Sequence, residues 1–225
     1  MRRSAIPVCV LVAGLQAGLG AQLTTPADWK WRQDAPAPLS KGAKMEPGSW
    51  VFVQMPPGWH VTTGPGVLLY PTTNGDASGN FSLETDIFLF PGDSREEYGL
   101  FLGGQAVDDS ASPEYVAVVL RRDGYAAILR RSGDRTTPLS DWQRHDAIVP
   151  YKEGPDAVKN SLRVDIDPAT IAVSVNGAKV ASIPRQDLKT DGRIGFRVGK
   201  DMNLHIATMN VTRKLAPVPA KKAGM

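Results

Sequence analysis

Two hairpin signals in the second half of the chain constrain its fold more than any other feature. Between Tyr115 and Arg131, an Asp123-Gly124 pair separates two apolar runs, and between Thr170 and Ile183 Asn176-Gly177 does the same. Asp-Gly and Asn-Gly tolerate positive φ, and the twist of a type I′ turn matches that of the strands flanking it. The spacing therefore predicts a type I′ turn at both sites. With Gly192-Arg-Ile-Gly-Phe-Arg-Val-Gly199 following, the pattern predicts an all-β, antiparallel two-sheet sandwich of jelly-roll type.

The ends of the chain have a different character. Residues 1–21 read as a signal peptide: Arg2 and Arg3 give a basic start, residues 5–15 a short apolar stretch, and small residues lead to a cut after Ala21. The stretch is shorter than the roughly 20 residues of a membrane span, so no span is expected after cleavage; a retained N-terminal anchor is the alternative. The chain's single cysteine, Cys9, leaves with this segment, so disulfides are not expected in the mature protein. The expected location is outside the cytoplasm, periplasmic or extracellular. Residues 22–48, rich in Pro, Ala, Lys and Ser, read as an extended leader able to dock Trp29 or Trp31 on the domain. The domain itself is placed at 49–213, and 214–225 read as a disordered basic tail.

The net charge of +3 comes from the ends. Setting aside Arg2, Arg3, Arg213, Lys214, Lys221 and Lys222 leaves 20 Lys+Arg against 23 Asp+Glu. A slightly acidic body offers no electrostatic footprint for nucleic acid.

From Ser49 onward, strand-like segments recur with Gly, Pro, Asn or Asp between them and no amphipathic helix. They fall at 50–54, 59–63, 67–70, 81–90, 98–103, 115–121, 125–131, 147–149, 162–167, 171–175, 179–183, 193–198 and 204–212. Alternation assigns faces. Phe81, Leu83, Ile87 and Leu89 point one way, and Ser82, Glu84, Asp86 and Phe88 the other. The same pattern in 162–166, 171–175 and 193–198 predicts one dry and one wet face for every strand.

Four pieces carry a resemblance to a known superfamily: residues 58–68, opening Gly-Trp-His-Val; Phe81-Ser-Leu-Glu-Thr-Asp86 with Tyr98-Gly-Leu-Phe-Leu-Gly-Gly104; residues 162–177, ending Val-Asn-Gly; and 192–199 with 206–211. In this order they resemble the concanavalin A-like lectin/glucanase superfamily, most closely its laminin G-like and 3-keto-disaccharide hydrolase-like domains. The resemblance implies a sandwich spanning residues 50–213 and a carbohydrate or glycan partner. One such fold hosts binders and enzymes alike.

Glu84 and Asp86 form the best acid pair, sharing a strand face with Cβ atoms about 7 Å apart. Laminarinase-type members of the superfamily carry Glu-x-Asp-x-x-Glu there, but here Phe88 and Leu89 stand where the third acid would fall. The favoured reading is two solvated charges paired with Arg121 or Arg163; if the chain is an enzyme, they are its nominated catalytic residues. His60, His145 and His205 are too scattered for a local metal motif, and His60 and His205 read as surface-facing strand residues. Asn74, Asp76 and Asn80 are weak calcium candidates, in a loop better read as a plain connection; Asp108-Asp109 is read the same way. No other cofactor is expected.

Trp59, Tyr98, Tyr115 and Trp142 are the aromatics nominated for a sugar platform, and Trp50, Phe81 and Phe196 for the core. With Glu84, Asp86 and Arg121 the platform aromatics complete the expected ligand-binding set. Gly99, Gly103 and Gly104 are read as room for a ligand or a second backbone, and Arg121, Arg122, Arg130 and Arg131 as charged edge protection. The expected function is an exported carbohydrate- or glycan-surface-binding sandwich without a complete glycosidase site. A hydrolase acting on a modified sugar and a protein-binding adhesion module are the alternatives.

Overall fold

The structure, a computed structural model, describes residues 26–34, 50–108 and 112–214. The signal segment, most of the leader, Asp109 and the tail beyond Lys214 lie outside the described residues. Within them the chain forms strands and turns, with no helix long and apolar enough to cross a membrane. The first half holds β1 (Trp29–Gln33), β2 (Val51–Gln54), β3 (Trp59–Thr62), β4 (Val67–Pro71), β5 (Asp76–Ala77), β6 (Phe81–Leu89) and β7 (Glu97–Gln105). Next come β8 (Glu114–Arg121), β9 (Tyr125–Ser132), β10 (Arg135–Pro138) and β11 (Gln143–Arg144). The chain closes with β12 (Val158–Ile166), β13 (Thr170–Val175), β14 (Ala178–Pro184), β15 (Gly192–Val198), β16 (Asn203–Ile206) and β17 (Asn210–Arg213).

Two antiparallel sheets result. A nine-stranded sheet runs β1-β4-β15-β7-β8-β9-β10, with β5 beside β15 and β11 beside β9. An eight-stranded sheet runs β14-β13-β12-β6-β16-β3-β2, with β17 beside β6. Between them lies a core that includes Phe81, Leu83, Ile87 and Leu89 of β6, Val164 of β12, Val173 of β13 and Phe196 of β15, each at most 1% exposed. Burial of this apolar surface is the main favourable term holding the sheets together.

Asn176 and Gly177 have φ of 50° and 85°, as a two-residue type I′ loop between β13 and β14 requires. The other turn differs. Asp123 is not in the positive-φ region, while Gly124 is at 88°, and Gly124 N–H donates to Arg121 C=O across 3.1 Å. It is a three-residue loop in which only the third position needs glycine.

The leader contributes a real strand. Trp29–Gln33 pairs with β4, and the Trp29 ring sits 5.5 Å from Phe52, 4.7 Å from Trp59 and 5.7 Å from Phe196. Two expected strands differ from prediction. Residues 147–149 form no ladder, because Val149 spends its N–H and C=O on the side-chain amide of fully buried Asn160. Residues 204–212 split into β16 and β17 at an irregularity where Ala207 N–H bonds Asp86 C=O and the Thr85 hydroxyl bonds Thr208 C=O.

The rule of one dry and one wet face holds for the eight-stranded sheet and fails for the nine-stranded one. Leu68, Tyr70, Phe101, Val107, Tyr115, Ala117, Val119, Ala127 and Leu129 form a second buried apolar cluster, against which Trp142 packs. Leu68, Phe101, Ala117, Val119, Ala127 and Leu129 alternate along β4, β7, β8 and β9 with residues of the main core, so these strands are dry on both faces. Their near-continuous apolar runs are the sequence mark of that state.

Candidate functional site

At the rim of this second cluster, the end of β8, the turn after it and the start of β9 bring charged and aromatic groups together. The Arg121 guanidinium carbon lies 5.2 Å from the Tyr125 ring centroid and 5.0 Å from that of Trp142, within the range of cation–π attraction. Asp123, from the turn, accepts Nε and Nη2 of the same arginine in a two-point fork. Trp142 is placed by β11, which pairs with β9 so that Arg144 stands opposite Tyr125. Both rings stay partly exposed.

Asp123 also lines a cavity of about 560 Å³ at this end of the sandwich, with Asp93, Arg95, Arg122, Tyr151 and Glu153 among its other walls. Arg122 pins the loops together. Its guanidinium donates to Ser94 C=O at 3.0 Å and Phe90 C=O at 3.2 Å and stacks 4.5 Å from the Tyr151 ring centroid.

Elsewhere on the same face is a buried ionic cluster. The Asp34 carboxylate, 4% exposed, accepts the Tyr115 hydroxyl at 2.6 Å and Arg197 Nε at 2.7 Å. Arg197 also donates to Glu97, and Arg131 Nη1 lies 4.0 Å from Asp34. Burial, followed by the Asp34 charge, raises the Tyr115 phenol well above its ordinary value, so it stays a proton donor.

The outer face of the eight-stranded sheet carries a groove of about 480 Å³ lined by Glu84, Asp86, Ser161, Arg163, Thr208 and Asn210, among others. Its charges are spent on one another. Arg163 pairs with Glu84 and, at 2.7 Å, with Asp165; Lys214 bridges Asp165 and Asp167; Lys159 holds Asp86 at 2.8 Å. Burial pushes the Asp86 carboxyl upward, but hydrogen bonds from Lys159 and Ser161 and the Lys159 charge outweigh it and hold Asp86 below the usual range. A general acid at neutral pH needs the opposite shift.

No family model matches the chain, and no curated protein does. Solved structures do. The carbohydrate-binding module CBM66 from Bacillus subtilis aligns at TM-score 0.58 and 11% identity, covering 73% of this chain and 96% of its own. A Bacillus subtilis protein of unknown function with a galectin-like fold aligns at 0.57 and 10%, covering 82% and 89%. The exoplasmic/lumenal domain of VIP36, solved with Ca²⁺ and Man3GlcNAc, aligns at 0.57 and 11%, covering 85% and 86%. The fold is a galectin-like jelly roll.

Within this galectin-like sandwich the expected site residues scatter. Of the nominated aromatics, Trp142 joins Arg121 at the rim. Tyr98 is buried in the core, where burial pushes its phenol up to about 12. Tyr115 is buried on the ionic cluster, and Trp59 packs on Trp29. Tyr98 and Tyr115 present no open ring face, because each occupies the inward or covered side of its strand, whereas Trp59 is only partly buried and stands apart from the Arg121 rim on β3 of the other sheet. Trp50, assigned to the core, is only partly buried and packs on Trp31.

Glu84 pairs with Arg163 as expected, but Arg121 is on the other sheet and Asp86 takes Lys159 instead. The arginine series is not edge protection: β8 and β9 are interior strands, Arg122 holds loops, and Arg131 is 5% exposed. Arg193 binds Asp76 at 3.4 Å and Arg185 binds Asn80 at 3.0 Å, so two of the three calcium candidates, Asn74 being the third, already face guanidinium groups. Among the described residues no group of three or more His, Cys, Asp or Glu gathers to hold a metal. Gly99 and Gly103 admit a second backbone, since a Cβ there would meet Val118 O at 2.2 Å and Lys189 O at 1.9 Å.

Sequence reasoning misses Tyr125, Asp123, Arg122 and Tyr151. Tyr125 has a readable signal. It opens β9 directly after the turn and alternates with Ala127 and Leu129 on the face that carries Arg121.

Proposed function

We propose that this chain is an exported carbohydrate-binding module whose site is the rim formed by Arg121, Asp123, Tyr125 and Trp142 on the nine-stranded sheet. The observation that carries the reading is the Arg121–Asp123 fork set against two partly exposed rings. The C–H face of a sugar stacks on Trp142 or Tyr125, while neighbouring hydroxyls accept from the guanidinium and donate to the carboxylate. The adjoining cavity gives a longer glycan room to continue, within the size range of small-molecule pockets. A fork already neutral overall suits an uncharged sugar.

The likeness to solved carbohydrate-binding folds supports the class, and the signal-like residues 2–21 support export. The finer kinship with laminin G-like or 3-keto-disaccharide hydrolase-like domains belongs to the same proposal. Binding is proposed to need no calcium at residues 74–80. A thermal-shift screen of the protein against neutral and acidic oligosaccharides, with and without EDTA, tests this, because a ligand selective for the native state raises the melting temperature. The expected result is a neutral glycan that stabilises the protein equally in EDTA. Turnover of a β-glucan or 3-keto-disaccharide abolished by Glu84→Gln would replace the binder with a hydrolase.

A further inference from the structure

On the outer face of the eight-stranded sheet, away from the Glu84 groove, β3 and β16 pair with His60 opposite His205 and Thr62 opposite Asn203. Thr63 N–H donates to Met202 C=O, which makes 63 and 202 a hydrogen-bonded pair. Alternation along the ladder then makes His60 and His205 a non-hydrogen-bonded pair, the kind in which opposed side chains stand closest, with Cα atoms about 4.5 Å apart. Asn203 lies on the same face, two residues before His205 and diagonal to His60.

These side chains hold polar atoms without partners; in the tautomer whose Nε2–H faces the Thr62 hydroxyl 3.5 Å away, His60 Nδ1 carries a free lone pair. Among the described residues three buried side-chain polar atoms lack a hydrogen-bond partner, and two of them are His60 Nδ1 and Asn203 Oδ1. Most buried polar atoms are paired, so two orphans on one small patch ask for a partner. His205 Nε2 lies 2.8 Å from Pro57 C=O. A carbonyl only accepts, so Nε2 carries the proton and Nδ1 is bare. A histidine that donates one ring nitrogen to a backbone carbonyl and offers the other is arranged as metal-binding histidines are.

We propose that His60 and His205, with Asn203 Oδ1 beside them, form a binding site for one divalent transition cation, distinct from the carbohydrate rim. Imidazole nitrogen suits Zn²⁺, Ni²⁺ and Cu²⁺, and Cu²⁺ binds tightest of the series. Ca²⁺ and Mg²⁺, which prefer all-oxygen cages, are excluded by the two nitrogens.

The test uses the untagged full chain with Cys9→Ser, so that its one thiol plays no part. Titration with Cu²⁺ is expected to show one saturable site whose electron paramagnetic resonance spectrum carries coupling to imidazole nitrogen. His205→Gln is expected to weaken binding at least ~10-fold. His145→Gln, which removes the only other histidine in the chain, should leave it unchanged. Should His205→Gln fail to fold, the wild-type spectrum decides alone. No Cu²⁺ site in the wild type, a spectrum without imidazole nitrogen, or binding that depends on His145 would overturn the proposal.

Discussion

The outer face of the nine-stranded sheet buries Leu68, Phe101 and Val119, whereas that of the eight-stranded sheet sets Glu84, Asp86, Arg163 and Asp165 in a partly exposed ladder of ion pairs. The difference shows where a ligand finds something to gain. In the ladder each charge is already matched, so an incoming hydroxyl must displace a lysine or arginine to win one hydrogen bond. At the rim of the apolar face, Tyr125 and Trp142 present ring surface that water solvates poorly, beside a polar fork that orients a sugar. The buried cluster of Asp34, Tyr115, Arg197 and Glu97 is a third arrangement. It is charged like the ladder but dry like the apolar face, and its contribution is to anchor β1.

Breaking that buried cluster should have the largest effect. Asp34→Ala leaves Arg197 short of a partner and strands the Tyr115 hydroxyl, at an expected cost of about 3–5 kcal/mol in urea unfolding. If it costs no more than an exposed-ladder substitution, the contrast between the two faces fails. Asp165→Asn should cost less, about 2 kcal/mol, with a pH signature. The hydrogen bond from Arg163 comes first in holding the Asp165 carboxyl below its ordinary 3.8; burial opposes it, and Ser82 and Lys214 add to it. A depressed carboxyl stabilises the fold above its unfolded value and loses that contribution as pH falls. The gap between wild type and Asp165→Asn should therefore be full at pH 6 and shrink below about pH 4. A gap independent of pH would show that the ladder acts through packing.

The sandwich itself is legible because turn chemistry is local. Asn176-Gly177 specifies its loop by the φ values it alone tolerates, and the period-2 pattern of 162–166 and 171–175 follows from one covered face. Extending that pattern to β8 and β9 fails. Val116 to Leu120 are all apolar, and an uninterrupted run of that kind marks two dry faces where alternation would give one. The candidate site is half legible. Arg121 and Trp142 stand out in the sequence, but nothing there joins them, because their meeting depends on β11 returning to β9 after a connection whose path no local pattern encodes. Tyr98 and Tyr115 mislead for the same reason: an aromatic on a strand reads alike whether its ring meets solvent or a neighbouring sheet.

The central claim is that ligand binds the aromatic rim and not the acidic groove, and isothermal titration with the best glycan from the thermal-shift screen tests it most directly. Trp142→Ala should weaken binding at least ~10-fold, or about 1.4 kcal/mol, while the Glu84→Gln/Asp86→Asn double variant stays within about twofold of wild type. Loss of binding in the double variant with full affinity in Trp142→Ala would contradict the account and move the site to the other sheet.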